Sequence, residues 1–187
     1  MHMQKISKHV SYKEGVYSRT AERLGLKNDP SSGHLANMKL IAEKVFEPLR
    51  EHVGKPIKIN SFYRSAELNQ AIGGSSKSQH CEGRAIDIDD TYGHMSNADM
   101  YAFIKENLDF DQMIWEFGTE DNPNWVHVSY IDPETNRNRF KCTFCKNKRY
   151  FLSFASCLMK SNRCFGQSKR IAFQASIKAS FVVLGNV

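Results

Sequence analysis

His80, Asp87 and His127 are residue types that hold a catalytic metal, and each stands where a loop meets a strand-like segment. In Ser78-Gln79-His80-Cys81-Glu82-Gly83-Arg84-Ala85-Ile86-Asp87-Ile88-Asp89 an imidazole and a carboxylate lie seven residues apart, and a second imidazole follows in Trp125-Val126-His127-Val128-Ser129. Two histidines and one carboxylate fill three positions of a tetrahedral Zn²⁺ and leave the fourth open, the arrangement of a catalytic rather than a structural site. The chemistry expected is metal-assisted hydrolysis. A histidine such as His127, taken alone, is more often a hydrogen-bonded structural residue; the combination is what points to a metal. Cys81 reads as a buried thiol, because adjacent residues seldom bind one ion. Asp89, on the same strand face as Asp87, reads as a partner orienting a ligand histidine.

The elements that must position these residues are visible in the spacing of apolar positions. Ser18 to Gly25 reads as a short helix with a serine start and a glycine stop. Leu35, Met38, Ile41, Ala42, Val45, Phe46 and Leu49 predict a helix over 35–53, which Pro48 is expected to kink or divide. Pro56 to Phe62 alternates like a strand, and Tyr63-Arg64-Ser65 leads into a short helix over 68–72. Gly73-Gly74-Ser75-Ser76 ends that helix and delivers His80. Residues 84–89 form a strand with Ile86 and Ile88 on one face and Ala85, Asp87 and Asp89 on the other. A helix from Asn97 to Leu108, capped by Ser96 or Asn97, precedes a hairpin made of 110–117 and 125–130. This order predicts an α+β fold, with helices packed on a mainly antiparallel sheet.

Composition divides the chain. The 187 residues carry a net charge of +6, yet residues 1–139 hold 17 Lys and Arg against 20 Asp and Glu, a balance of −3. Residues 140–187 hold 9 Lys and Arg with no acid, and four of the five cysteines, Cys142, Cys145, Cys157 and Cys164. The expected organisation is a main domain over 1–139 and a basic, cysteine-containing extension over 140–187, poorly structured, with no core strand beyond Tyr130. Cys142-Thr143-Phe144-Cys145 is half of a zinc ribbon, but six residues separate Cys157 from Cys164, a poor second half. Basic and aromatic residues there also suit anionic polymers, although the slightly acidic main domain argues against a nucleic-acid partner. No window approaches the roughly 20 apolar residues of a membrane span. The N-terminus has no apolar run of a secretory signal, so synthesis in the cytoplasm followed by release or non-classical export is the expected route.

Ser78-x-His80-x-x-Gly83-x-Ala85-x-Asp87, preceded by Tyr63-Arg64-Ser65 and followed by Trp125-x-His127, resembles the zinc peptidases of the M15 family, over about residues 9–131. These are D-alanyl-D-alanine carboxypeptidases and phage or bacterial peptidoglycan endopeptidases, with a zinc fold shared with the Hedgehog signalling domain. The resemblance implies Zn²⁺ held by His80, Asp87 and His127, Arg64 as the substrate-steadying arginine, Ser78 as the serine before the first ligand, and peptidoglycan stem peptides as substrate. Many members carry a carboxylate general base three residues before the last histidine; here that position is Asn124. Glu116, on the strand expected to pair with that of His127, is the candidate replacement, with Glu120 and Asp121 behind it. Glu116 is equally readable as a solvated strand charge, and Arg64 as a helix-start ion pair. The missing acid leaves a second reading open, an inactive wall-binding or phage structural protein on the same fold.

Overall fold

Two isoleucines two residues apart give the chain one of its interior strands. In the computed structural model, which describes residues 5–143, Ala85–Asp89 forms β2 with Ile86 and Ile88 buried. It lies between β1 (Lys58–Ser61) and β4 (Trp125–Ser129), and beyond β4 come β3 (Gln112–Glu116) and β5 (Arg139–Cys142), giving the order β1-β2-β4-β3-β5. Every neighbouring pair is antiparallel except β3 and β5, which are parallel. One face carries Ile86, Ile88, Val126, Val128, Met113 and Trp115, all buried. Because side chains alternate, Asp87, His127, Ile114 and Glu116 occupy the other face. The register sets Asp87 directly opposite His127, and His127 opposite Ile114. The fold is α+β on a mainly antiparallel sheet, as the alternation predicts.

Helices cover the apolar face. Short helices α1 (Tyr12–Val16) and α2 (Arg19–Leu24) are capped by the hydroxyls of Ser11 and Ser18, and α2 stops at Gly25 in the left-handed conformation. The expected 35–53 helix runs from Ser32 to Val53 in three parts: α3 (Ser32–Ile41), a π-helical turn (Ala42–Phe46) and α4 (Glu47–Val53). Pro48 does not divide it. A proline has no N–H for the carbonyl of Lys44, and the chain widens one turn earlier, where the Glu47 N–H reaches back five residues to the Ala42 carbonyl. Met38, Ile41, Val45 and Leu49 are buried as their spacing predicts. A short α5 (Ala66–Ala71) follows β1 with Ser65 as its cap. The last helix, α6 (Asn97–Asn107), is capped by Ser96 and packs against β4, its Tyr101 ring meeting Trp115 edge-on at 5.3 Å between centroids.

The strand β5 corrects the expectation that the sheet closes at Tyr130. Residues 139–142 pair with β3, Arg139 beside Gln112 and Cys142 beside Trp115, and the described part belongs to one compact unit, Met1–Phe144. The physical reason is an otherwise open edge: β3 has β4 on one side only, and its unpaired backbone groups accept another strand. Phe140 then lays its ring edge-on against Phe110, 5.1 Å between centroids, and near Tyr101. Residues 144–187, most of the extension expected to be poorly structured, and with them three of its four cysteines, lie outside the described residues. Phe140 is 40 % exposed, so Phe140→Ala should cost about 1–2 kcal/mol, below the ~3–5 of a fully buried ring. Urea denaturation of the full chain measures this; an unchanged midpoint would mean that β5 adds nothing to the sheet.

Candidate metal centre

His80 reaches the sheet from a tight turn. Gln79–Glu82 forms one 3₁₀ turn that ends at Gly83, whose φ of 70° favours glycine, and a Cβ there would lie 2.5 Å from the His34 carbonyl oxygen on α3. Asn37 of α3 donates to the Glu82 carbonyl at 2.8 Å, and the backbone N–H of Arg64 donates to the His80 carbonyl at 3.2 Å. The turn is thereby seated between α3 and the segment after β1. Within it the His80 ring is 1 % exposed, and its Nδ1–H donates to the Phe62 carbonyl at 2.6 Å. That bond fixes the tautomer and leaves a lone pair on Nε2 in the neutral ring. Burial favours the neutral ring, lowering its pKa against the raising pull of Asp87.

The Nε2 atom stands 3.2 Å from Asp87 Oδ1 and 3.2 Å from His127 Nδ1, and the last two atoms are 2.8 Å apart. These are close to the ~3.3 Å edge expected of a tetrahedron with metal–ligand bonds of ~2.0–2.1 Å. Three inward-facing atoms share at most one N–H when both rings are neutral, and Asp87 is ionised. Burial alone would raise its pKa, but His80 and His127 outweigh that and hold it well below the usual carboxylate range, with Arg64 Nη2 3.1 Å from its other oxygen. The donor set therefore fits a cation at its centre: His80, Asp87 and His127 are the group among the described residues that could hold a metal ion.

Around this group runs an open cleft of about 1410 Å³, lined among others by Arg64, Ser78, Glu116, Phe117, Trp125 and Lys141. Ser78 caps the His80 turn by position without spending its hydroxyl on the backbone. Arg64 is held by its neighbours: Asn28 accepts from the Ser65 N–H at 2.7 Å and donates to the Tyr63 carbonyl at 3.1 Å. The Arg64 Nε is buried with no partner. Glu116 closes β3 opposite Trp125, one step along the same face from the Ile114–His127 pair, a diagonal of about 7–8 Å between backbones. Burial raises its pKa, opposed by a hydrogen bond from Thr143 and by His127 and Arg64.

Residues 8–129, more than half of the 187, match the family profile described as Peptidase M15. The chain belongs to the peptidase M15 family. M15 members are metallopeptidases, so the converging His80, Asp87 and His127 stand where this M15 chain could hold its metal ion. No curated protein matches the chain.

Some expectations for this M15 chain change. Asp89 does not orient a ligand histidine: its carboxylate accepts from Asn60 Nδ2 at 2.7 Å and from the N–H and hydroxyl of Thr91. At the sheet rim its charge finds nearer donors, and the Phe62 carbonyl holds His80 instead. Cys81 is half-buried and unpaired. Glu120 and Asp121 are exposed in the hairpin loop, outside the cleft lining.

Two features escaped the sequence reading. Phe117 adopts a φ of 53°, a region a bulky side chain rarely enters, and its half-exposed ring lies 5.2 Å from that of Trp125 at the cleft rim. The dipeptide Phe117-Gly118 after a strand was the available signal. Asp111, fully buried, accepts from Gln79 at 2.8 Å, from the Arg137 N–H at 3.1 Å and from the Arg137 guanidinium at 2.7 and 2.5 Å, tying the turn beside His80 to the approach of β5.

Despite burial, the bonds from Arg137 and Gln79 hold the Asp111 pKa down at about 2, against an ordinary 3.8. A carboxylate depressed on folding stabilises the fold above its unfolded pKa, and the contribution is lost as pH falls toward the folded value. The window is therefore about pH 4 down to 2, and the amount on the order of 2 kcal/mol. Asp111→Asn should be less stable than the native chain at pH 6 and the difference should shrink by pH 2 in parallel denaturant titrations. A constant difference across that range would refute the assignment.

Proposed function

We propose that this chain is a zinc-dependent peptidase that hydrolyses D-amino-acid-containing peptide bonds in peptidoglycan stem peptides, as a carboxypeptidase or endopeptidase. The observation that supports it most is the convergence of His80 Nε2, Asp87 Oδ1 and His127 Nδ1 in an open cleft, with the outer nitrogen of His80 already committed to a carbonyl. Two imidazoles and a carboxylate suit zinc, and an open position distinguishes a catalytic from a structural site. Zinc bound there would supply Lewis acidity toward a carbonyl and a nucleophile at neutral pH. The peptidoglycan substrate rests on the Ser78-to-Asp87 motif with Arg64 and Trp125-x-His127.

Each side chain then has a task set by its surroundings. Glu116, with its pKa raised by burial, is suited to take the proton of the attacking water on its carboxylate and return it to the departing amine. Asn124 has no such capacity, and Glu116 occupies the cleft that Glu120 and Asp121 do not reach. That placement favours catalysis over the wall-binding alternative. Arg64 lines the cleft and holds Asp87 with Nη2, so its guanidinium stands beside the place where the substrate peptide would lie. The Ser78 hydroxyl, free of capping, can meet a substrate amide.

Metal analysis of the purified chain should find close to one zinc, with His80→Ala and Asp87→Ala losing most of it. Glu116→Gln should keep the zinc and the fold while lowering release of stem peptides by roughly 10²–10⁴-fold. Mass spectrometry of digested peptidoglycan would identify the bond cut. A folded chain indifferent to chelator removes the metal reading, and a zinc-loaded chain that releases nothing from several stem chemistries removes the peptidase reading.

A further inference from the structure

We propose that Lys141 of β5 forms a second anion subsite, which binds a carboxylate of the peptide substrate on the opposite side of the His80–Asp87–His127 group from Arg64. The inference rests on the peptidase reading and adds a selectivity for acidic peptides.

The register places Lys141 with some definition. Asp87 pairs with His127, His127 with Ile114, and Ile114 with Lys141, so the four lie in one row across β2, β4, β3 and β5 on the face of the sheet that carries the metal-binding group. With strands about 4.8 Å apart, the backbone of Lys141 stands about 10 Å from that of His127. An extended peptide advances ~3.3–3.6 Å per residue, so this distance is about three residues of substrate. Arg64, in contact with Asp87, marks the other end of the row.

The charge around this row is uneven. The cleft is lined by six cations, Arg19, Lys58, Arg64, Lys77, Arg137 and Lys141, although residues 1–139 as a whole carry a balance of −3. Its acids are Glu82, Asp87 and Glu116, of which Asp87 is already matched by Arg64. Arg137 is engaged by Asp111. Lys141 is exposed and lines the cleft, and its ammonium has neither an ion pair nor a hydrogen bond among the described residues. A compact ammonium on a flexible stem attracts a carboxylate as a point charge, without demanding two-pronged geometry. Residue 141 also lies beyond the family match, which ends at 129.

The test uses the full-length, zinc-loaded protein and a panel of stem-type peptides in which one carboxylate, placed one to four residues to either side of the scissile bond, is present or amidated. The native chain should favour the acid over the amide on both sides, by about two- to fivefold at an exposed pair, mainly through KM. Lys141→Met should abolish the preference on one side only, leaving the other, and Lys141→Arg should retain both. The Lys141-dependent preference should fade as salt rises from ~0.1 to ~1 M, where the screening length falls from ~10 to ~3 Å. Equal KM values for acid and amide in the native chain, or a preference that survives Lys141→Met on both sides, would overturn the proposal. If no peptide is cut, the peptidase reading fails separately, and calorimetric titration of the same panel decides the subsite: equal Kd for acid and amide overturns it.

Discussion

An ionised carboxylate in a protein interior is tolerated only where positive charge and donors surround it, and Asp87 is the residue on which that constraint falls. It is 8 % exposed and sits on a strand whose neighbours Ile86 and Ile88 are part of the apolar core. The strand can bury isoleucine and aspartate together because they point to opposite faces. A slip of one residue in register would turn the carboxylate into the core and the isoleucines into the cleft. The pairing of β2 with β4 prevents the slip, and the same pairing brings His127 opposite Asp87. Stability of the sheet and assembly of the candidate metal-binding group are thus one interaction seen from two faces.

The face carrying this group holds two carboxylates in contrasting surroundings. Asp87, between two imidazoles and a guanidinium, is held ionised; Glu116, at the end of β3 and more desolvated than neutralised, has its pKa raised. Environments that push two like groups apart in this way are the kind that suit one to hold a metal and the other to carry protons, the roles proposed for Asp87 and Glu116. Neither property belongs to the residue type. Both follow from position along strands whose register is set by the apolar face.

Beyond the stretch that matches the M15 family, the chain continues to contribute to the same sheet. Asp111 receives the guanidinium and backbone of Arg137 on one side and Gln79 on the other, so the turn that carries His80 and the segment that leads into β5 share one buried anion. From there β5 runs parallel to β3 and extends the cleft face with Lys141. β5 follows β4 in the chain but lies on the far side of β3, which is why the approach from β4 to β5 needs the crossing that Arg137 anchors.

The amino-acid sequence by itself determined the local elements and the candidate metal-holding group. Ser18 and Ser96 cap helices, the 35–53 apolar spacing becomes a helical arm with Met38, Ile41 and Leu49 buried, and the alternation at 84–89 separates Ile86 and Ile88 from Asp87. These signals are legible because they involve neighbours a few positions apart, whose geometry is fixed by the period of the element. His80, Asp87 and His127 were legible through their motif and through the loop–strand borders on which they stand. The tertiary structure alone decided that Asp89 turns to Asn60 and Thr91, that Phe62 rather than a carboxylate steadies His80, that Glu116 and not Glu120 or Asp121 lines the cleft, and that the sheet goes on to Cys142. Such outcomes depend on which distant backbone groups and charges become neighbours once the strands pair. A charged side chain has no preference among partners until folding brings one within hydrogen-bonding reach and removes the water that would otherwise serve it.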